Sequence, residues 1–82
     1  MEKTIHAAAY IELIDWLRSC REEQGLSMRM LAEVLDVPHS WIAKVEQLER
    51  RLDILEYVRL CHGLGVDPGK GLAIIKSALK IR

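Results

Sequence analysis

Apolar residues recur with helical spacing in five stretches of the chain. In the first stretch, Tyr10, Leu13, Ile14 and Leu17 follow an i, i+3, i+4, i+7 pattern, which places them on one face of a helix. The same pattern, read along the whole chain, predicts five helices at about residues 4–24, 28–35, 38–47, 53–64 and 68–80.

Residues that cap or open a helix stand at the starts of these segments. Thr4, Ser27, Asp53 and Asp67 can accept hydrogen bonds at an N-cap, and Pro68 suits a first helical turn. Short helices with short connections favour an all-α fold, a single-domain five-helix bundle spanning residues 1–82.

The connection between the second and third predicted helices gives the most information about the fold. Residues 35–38 leave room for a turn of about three or four residues, which is typical of a helix-turn-helix and forces a steep crossing. Asp36 stands where such a turn needs a positive φ, which aspartate tolerates better than most residues. A steep crossing makes the third helix project from the body, in a shape that fits a DNA major groove about 12 Å wide.

The amino-acid composition indicates the class of protein but does not identify a binding partner. The chain has 82 residues, 50% of them apolar, and its 12 basic and 12 acidic residues cancel, which is typical of a globular domain and excludes a strongly cationic binder. Any nucleic acid must therefore be bound by a local patch. The longest apolar run is far shorter than the ~20 residues that cross a bilayer, so we expect a soluble, cytoplasmic protein that contacts no membrane.

Four fragments in order resemble the Cro/repressor, or XRE-type, helix-turn-helix family. They cover about residues 14–72 and read Leu17-Arg18-x-x-Arg21-Glu22-x-x-Gly25-Leu26-Ser27, Leu31-Ala32-x-x-Leu35-x-Val37, Ile42-x-x-Val45-Glu46 and Leu60-x-x-x-Leu64-Gly65-Val66-Asp67. The resemblance implies a bundle of the phage-repressor DNA-binding type, with a helix-turn-helix at about residues 28–47. It also implies an ion pair between Arg21 and Glu46; two separately solvated charges are the alternative.

The resemblance further implies a transcriptional regulator that reads duplex DNA with its third helix. Some of the matching positions would contact bases and phosphates, whereas the arginines flanking the helix would hold phosphate and carry no sequence information. The positions so implied are Arg29, Pro38, His39, Ser40, Ala43, Lys44, Gln47, Arg50 and Arg51.

Five residues depart from the family pattern, and they motivate a second hypothesis. Met28, Asp36, Pro38, Trp41 and Leu48 replace residues that are usually polar, small or glycine. Trp41 and Leu48 share one flank of the third helix, where Trp41 either covers a thin core or forms a contact surface. The alternative function is thus a protein-interaction module, antitoxin-like or regulator-binding, that uses Trp41, Leu48 and the outer apolar faces.

The last predicted helix carries more apolar residues than one buried face needs. One apolar stripe of this helix can pack on the bundle, and burial of the other stripe then requires a partner chain. In the family, the usual partner is a second copy related by a two-fold axis. The candidate dimer contacts are Leu72, Ile74, Ile75, Ala78, Leu79 and Ile81.

No residue pattern indicates catalysis, a metal site or a cofactor. His6, His39 and His62 are far apart, and the two cysteines, Cys20 and Cys61, form no metal-binding or disulfide pattern. We therefore expect no enzyme activity, no metal, no cofactor and reduced core thiols.

Overall fold

Five helices follow one another along the chain, as the sequence predicts. The computed structural model describes residues 7–81, in which the helices are α1 (Ala8–Glu23), α2 (Met28–Leu35), α3 (His39–Glu46), α4 (Ile54–Leu64) and α5 (Pro68–Ala78). The bounds predicted for α2 are confirmed, and Ser27 caps this helix by accepting a hydrogen bond from the Met30 N–H.

The start of α1 differs from the prediction, whereas α3 begins at His39, within one residue of its predicted start. α1 begins at Ala8 because Ala7 is extended, with a φ of −66° and a ψ of 139°; Thr4, the predicted cap, lies outside the described residues. Pro38 occupies the N-cap of α3 rather than its first turn, since its ψ is 145°.

Two helix ends also come earlier than predicted. α3 stops at Glu46, and α5 stops at Ala78 because Lys80 adopts a left-handed φ of 58°. The Ile81 N–H bonds back to the Lys76 carbonyl at 3.3 Å. Ile81 is therefore off the helix and extends neither of its predicted stripes.

The core is one cluster of side chains contributed mainly by α1 to α4. The predicted inner stripe of α1 is confirmed, since Leu13, Ile14 and Leu17 are all buried. The other buried members of the cluster are Cys20, Leu31, Ala32, Ile42, Val45, Leu52, Tyr57, Leu60, Cys61 and Leu64. α3 is thus attached to the body through Ile42 and Val45, which leaves its opposite face outside.

α5 packs chiefly against α1, and a glycine makes this close approach possible. Gly71 is buried in the contact, where the nearest atoms belong to Tyr57, Leu13 and Trp16. The Tyr57 hydroxyl donates a hydrogen bond of 2.5 Å to the Pro68 carbonyl, which ties the start of α5 to α4.

Candidate nucleic-acid interface

The turn between α2 and α3 has the tight geometry of a helix-turn-helix. Asp36 adopts the predicted left-handed conformation, with a φ of 56° and a ψ of 48°. The next residue, Val37, donates its N–H to the Ala32 carbonyl at 3.0 Å, which closes the end of α2. Pro38 then directs the chain into α3, so the two helices are joined by the short linker expected from the sequence.

α3 has one face in the core and one face outside. Ile42, Val45 and Glu46 are buried, and Ala43 is half-buried at the edge. The remaining predicted contact positions of α3 are exposed: Pro38, His39, Ser40, Lys44 and Gln47. One face of the helix therefore offers a hydroxyl, an amide, an imidazole and an ammonium group to a ligand outside the bundle.

Two arginines of α1 hold the C-terminal end of α3. Arg21 donates from Nε and Nη2 to the two carboxylate oxygens of Glu46, at 2.7 and 2.9 Å, so the pair implied by the family resemblance is present in the structure. Arg21 also donates to the Leu26 carbonyl at 2.7 Å. Its bonds to Glu46 raise the pKa of the Arg21 guanidinium. The second arginine, Arg18, donates to the Glu46 main-chain carbonyl at 2.6 Å; it belongs to the first family fragment, but the sequence assigned it no contact.

The chain after α3 turns back over the last turn of the helix. Leu48 occupies the left-handed position, with a φ of 63°, where the family usually has glycine. The Lys44 carbonyl accepts hydrogen bonds from the N–H groups of Glu49 and Arg50, at 2.8 and 3.1 Å. This fold-back brings the backbone of Arg50 next to the last turn of α3.

Arg50 lies against α4 and Trp41 rather than extending freely, although 39% of its side chain remains exposed. Its guanidinium donates to both carboxylate oxygens of Glu56, at 2.9 and 2.8 Å, and lies 5.3 Å from the centre of the Trp41 ring. The bonds from Arg50 hold the pKa of the Glu56 carboxyl below its usual value. A phosphate contact by Arg50 would therefore use the N–H groups that Glu56 leaves over.

The charges on the outer surface of this region have both signs. Arg29 and Lys44 are exposed, and Arg51 is exposed as well. In residues 7–81 neither Arg29 nor Lys44 takes part in an ion pair. The exposed carboxylates of the same segment are Glu33, Asp36 and Glu49. The charged surface of this segment is thus mixed in sign.

Trp41 and Leu48 are half-buried and pack against the core. The hypothesis that Trp41 covers the core is therefore confirmed. The two side chains are less available for a partner protein than the alternative function requires. On α2, by contrast, Met30 is 48% exposed and Val34 is 59% exposed, as expected for its outer face.

The candidate dimer residues fall into two groups. Leu72, Leu79 and Ile81 are 49%, 53% and 59% exposed. The residues Ile74, Ile75 and Ala78 are half-buried on the bundle itself. The two predicted stripes are therefore mixed, with neither wholly inside nor wholly outside.

Three apolar residues on α4 remain exposed. Ile54, Leu55 and Val58 are 63%, 69% and 45% exposed. Ile54 and Leu72 line one groove between α4 and α5, so the apolar surface continues from one helix to the other. Helical spacing did not separate these three residues from the buried ones, Tyr57, Leu60, Cys61 and Leu64, because apolar residues occur on more than one face of α4.

The described residues contain no group that fits a metal ion and no helix that could cross a bilayer. Between residues 7 and 81 no three histidine, cysteine or acidic side chains come together, and no helix is long and apolar enough to span a membrane. Both cysteines are buried and unpaired, and burial raises the pKa of each thiol.

Two comparisons with known proteins agree on one family. Residues 12–70 match the family model described as a helix-turn-helix domain. A solved structure, described as an XRE-family like protein from Pseudomonas syringae pv. tomato str. DC3000, is 39% identical in sequence. The match covers 90% of this chain and 92% of the other, with a TM-score of 0.81. A search of curated proteins found no match.

Proposed function

Because the chain belongs to the XRE-like helix-turn-helix family of DNA-binding regulators, we propose that it is a transcriptional regulator whose helix α3 enters the major groove of duplex DNA. The observation that carries this proposal is the exposed polar face of α3 on a helix that is anchored from behind. An α-helix fits the major groove, and side chains on its outer face can then reach base edges.

The proposed contacts divide into reading and positioning contacts. Ser40, Lys44 and Gln47 read base edges, since a hydroxyl, an ammonium and an amide can all bond there. Pro38, His39 and Ala43 shape the approach at the start and edge of α3. Arg29, Arg50 and Arg51 bind phosphate, which fixes the register of the protein on the duplex and carries no direct sequence information.

Lys44→Ala is expected to weaken binding to the preferred duplex by roughly 5- to 100-fold, because one good base contact contributes about 1–3 kcal/mol. Binding by the wild-type chain is expected to weaken steeply as salt rises, since Lys and Arg side chains release counterions from phosphate. Fluorescence anisotropy with a labelled duplex over a salt series measures both effects.

Lys76→Ala is the matched control, because Lys76 is an exposed lysine on α5, away from α3. It removes the same charge and is expected to leave affinity nearly unchanged. The docking would be wrong if Lys44→Ala and an Arg50→Ala, Arg51→Ala double variant both bound the preferred duplex as tightly as wild type.

The proposed regulator acts as a homodimer on a pseudo-palindromic site. The self-contact uses the aliphatic surface of the C-terminal region, namely Leu72, Ile74, Ile75, Ala78, Leu79 and Ile81, with Ile54, Leu55 and Val58 beside it. Contiguous exposed aliphatic surface of this kind is typical of an interaction site. A two-fold dimer would separate two copies of α3 by about 34 Å, one turn of DNA.

Leu72→Glu is expected to abolish this self-association without unfolding the chain, because a carboxylate would be desolvated at the contact while Leu72 is half exposed in the single copy. Sedimentation with and without duplex measures the effect, and Val34→Glu on α2 is the control for an added exposed charge. One copy of wild-type protein per duplex at saturation would contradict the dimer.

A second candidate function is supported by the exposed Met30 and Val34 on α2. In this alternative the same bundle is a protein-interaction module that docks an apolar face on another protein. Docking of a partner through α2 is compatible with DNA binding by α3, so only a folded chain that binds no duplex at low salt would leave this module as the sole function.

A further inference from the structure

We infer that Arg18 is a positioning residue for the reading helix: its bond to the α3 backbone sets the orientation in which α3 meets DNA. The DNA part of this inference rests on the proposed function, whereas the orientation of α3 in the free protein does not.

Arg18 and Arg21 hold different parts of the same residue. Arg21 binds the side-chain carboxylate of Glu46. Arg18 donates from Nη2 to the Glu46 main-chain carbonyl at 2.6 Å, while its Nε lies 3.4 Å from Glu46 Oε1. α3 is thus attached to α1 at a side chain and at its backbone.

The backbone attachment restricts a motion that the ion pair alone permits. Ile42 and Val45 hold α3 in the core, and the ion pair holds its end through the Glu46 side chain, whose torsions leave small rolls of the helix about its axis. A second bond, made directly to the helix backbone, opposes that roll. Because a hydrogen bond weakens steeply once it is bent or stretched, a small roll would misplace Ser40, Lys44 and Gln47 at the base edges.

The C-terminal end of α3 has main-chain carbonyls that need hydrogen-bond donors from outside the helix. The last carbonyls of a helix lack partners within the helix, and the fold-back after α3 satisfies those of Lys44 and Val45. Arg18 supplies the bond to the next carbonyl, that of Glu46, and a cation at a helix C-terminus is also favoured by the helix dipole. Leu48 takes the left-handed position at some energetic expense, since it has a side chain where glycine has none.

Phosphate binding is the competing role for Arg18, because its side chain is 39% exposed. Phosphate binding and orientation of α3 have different effects on DNA affinity when Arg18 is removed. A lost phosphate contact weakens binding to all sequences about equally and lowers the salt slope by about 1. If α3 loses its orientation, binding to the preferred DNA sequence weakens more than binding to other sequences.

The DNA experiment compares Arg18→Ala with Arg59→Ala, which removes an exposed arginine on α4. Affinities are measured for the duplex selected by the wild-type protein and for a scrambled duplex of the same composition. We expect Arg18→Ala to lower the ratio of the two affinities by roughly tenfold, comparable to one lost base contact, with the salt slope on scrambled DNA unchanged. Arg18→Lys should recover part of the ratio, since it retains a donor and the charge.

The second experiment needs no DNA. Amide hydrogen exchange of the free protein should speed up at residues 47–50 in Arg18→Ala, with α4 amides unchanged, and the indole signal of Trp41 on α3 should shift. These readouts follow the end of α3 and not overall stability.

Two results overturn the inference: unchanged exchange at residues 47–50, or an equal loss of affinity for both duplexes with a salt slope lower by about 1. If the wild-type chain binds no duplex, the proposed function fails, and the exchange experiment still decides whether Arg18 sets the orientation of α3.

Discussion

Glu46→Ala is expected to lower the free energy of unfolding by about 3–5 kcal/mol, because it removes one partner of a buried ion pair and leaves the other charge unpaired. Glu46 is 7% exposed and Arg21 is 8% exposed, so water does not replace the lost carboxylate. Arg18 loses its contact with the same carboxylate. Since this pair joins α1 to the end of α3, the variant should also lose DNA binding.

The size of this effect is large for so short a chain. At about 0.05–0.15 kcal/mol per residue, a protein of 82 residues has a total stability of roughly 4–12 kcal/mol. Urea unfolding followed by circular dichroism measures the change. Glu49→Ala, an exposed glutamate three residues later, is the control and should change stability by less than about 0.5 kcal/mol. Equal effects from the two substitutions would show that the pair contributes no more than a surface charge.

Gly71→Ala is expected to destabilise the protein by about 1–3 kcal/mol, the usual range for overfilling a packed site. A Cβ at this position would lie 2.7 Å from Leu13 Cδ1 and 2.9 Å from Trp16 Cζ3, and it would also meet the Tyr57 hydroxyl. That hydroxyl is fixed by its bond to Pro68, so α5 must move away from α1. The candidate dimer surface on α5 would move with it, and self-association should weaken.

A second helical glycine provides the control, and it should behave in the opposite way. A Cβ at Gly63 would lie 2.8 Å from Leu35 Cδ2, the flexible end of a side chain, and 3.4 Å or more from other atoms. Gly63→Ala should therefore be neutral or stabilising, because alanine is favoured over glycine inside a helix by about 0.8–1.0 kcal/mol. Thermal unfolding of the two variants measures the contrast. Stabilisation by both substitutions would mean that α5 is not packed as closely as the contact at Gly71 requires.

Local signals in the sequence were sufficient for the helices and for the turn that defines the site. Ser27 and Asp53 each cap a helix as predicted, because a capping side chain acts on backbone groups two or three residues away. Asp36 takes the left-handed conformation for a similarly local reason. The outer face of α3 follows from helical spacing once Ile42 and Val45 are assigned to the core.

Local signals did not predict contacts between residues that are far apart in the chain. They also did not predict which of two apolar faces of a helix is buried. Arg18 meets the Glu46 backbone across 28 positions, and no local pattern distinguishes it from a solvated arginine. Arg50 pairs with Glu56 and lies 5.3 Å from the centre of the Trp41 ring, and no local pattern predicts either contact. On α4 apolar residues occupy more than half of the helix surface, so spacing alone does not decide that Leu55 remains outside.

The central claim, that the outer face of α3 binds duplex DNA, is tested most directly by nuclear magnetic resonance. Isotope-labelled protein is titrated with a duplex selected by this chain from a random pool. The signals of His39, Ser40, Lys44 and Gln47 should shift in proportion to bound duplex, and the shifts should reverse as salt is added. Failure of any duplex to be selected, or shifts confined to α4 and α5 with the α3 signals unchanged, would contradict DNA binding by this helix.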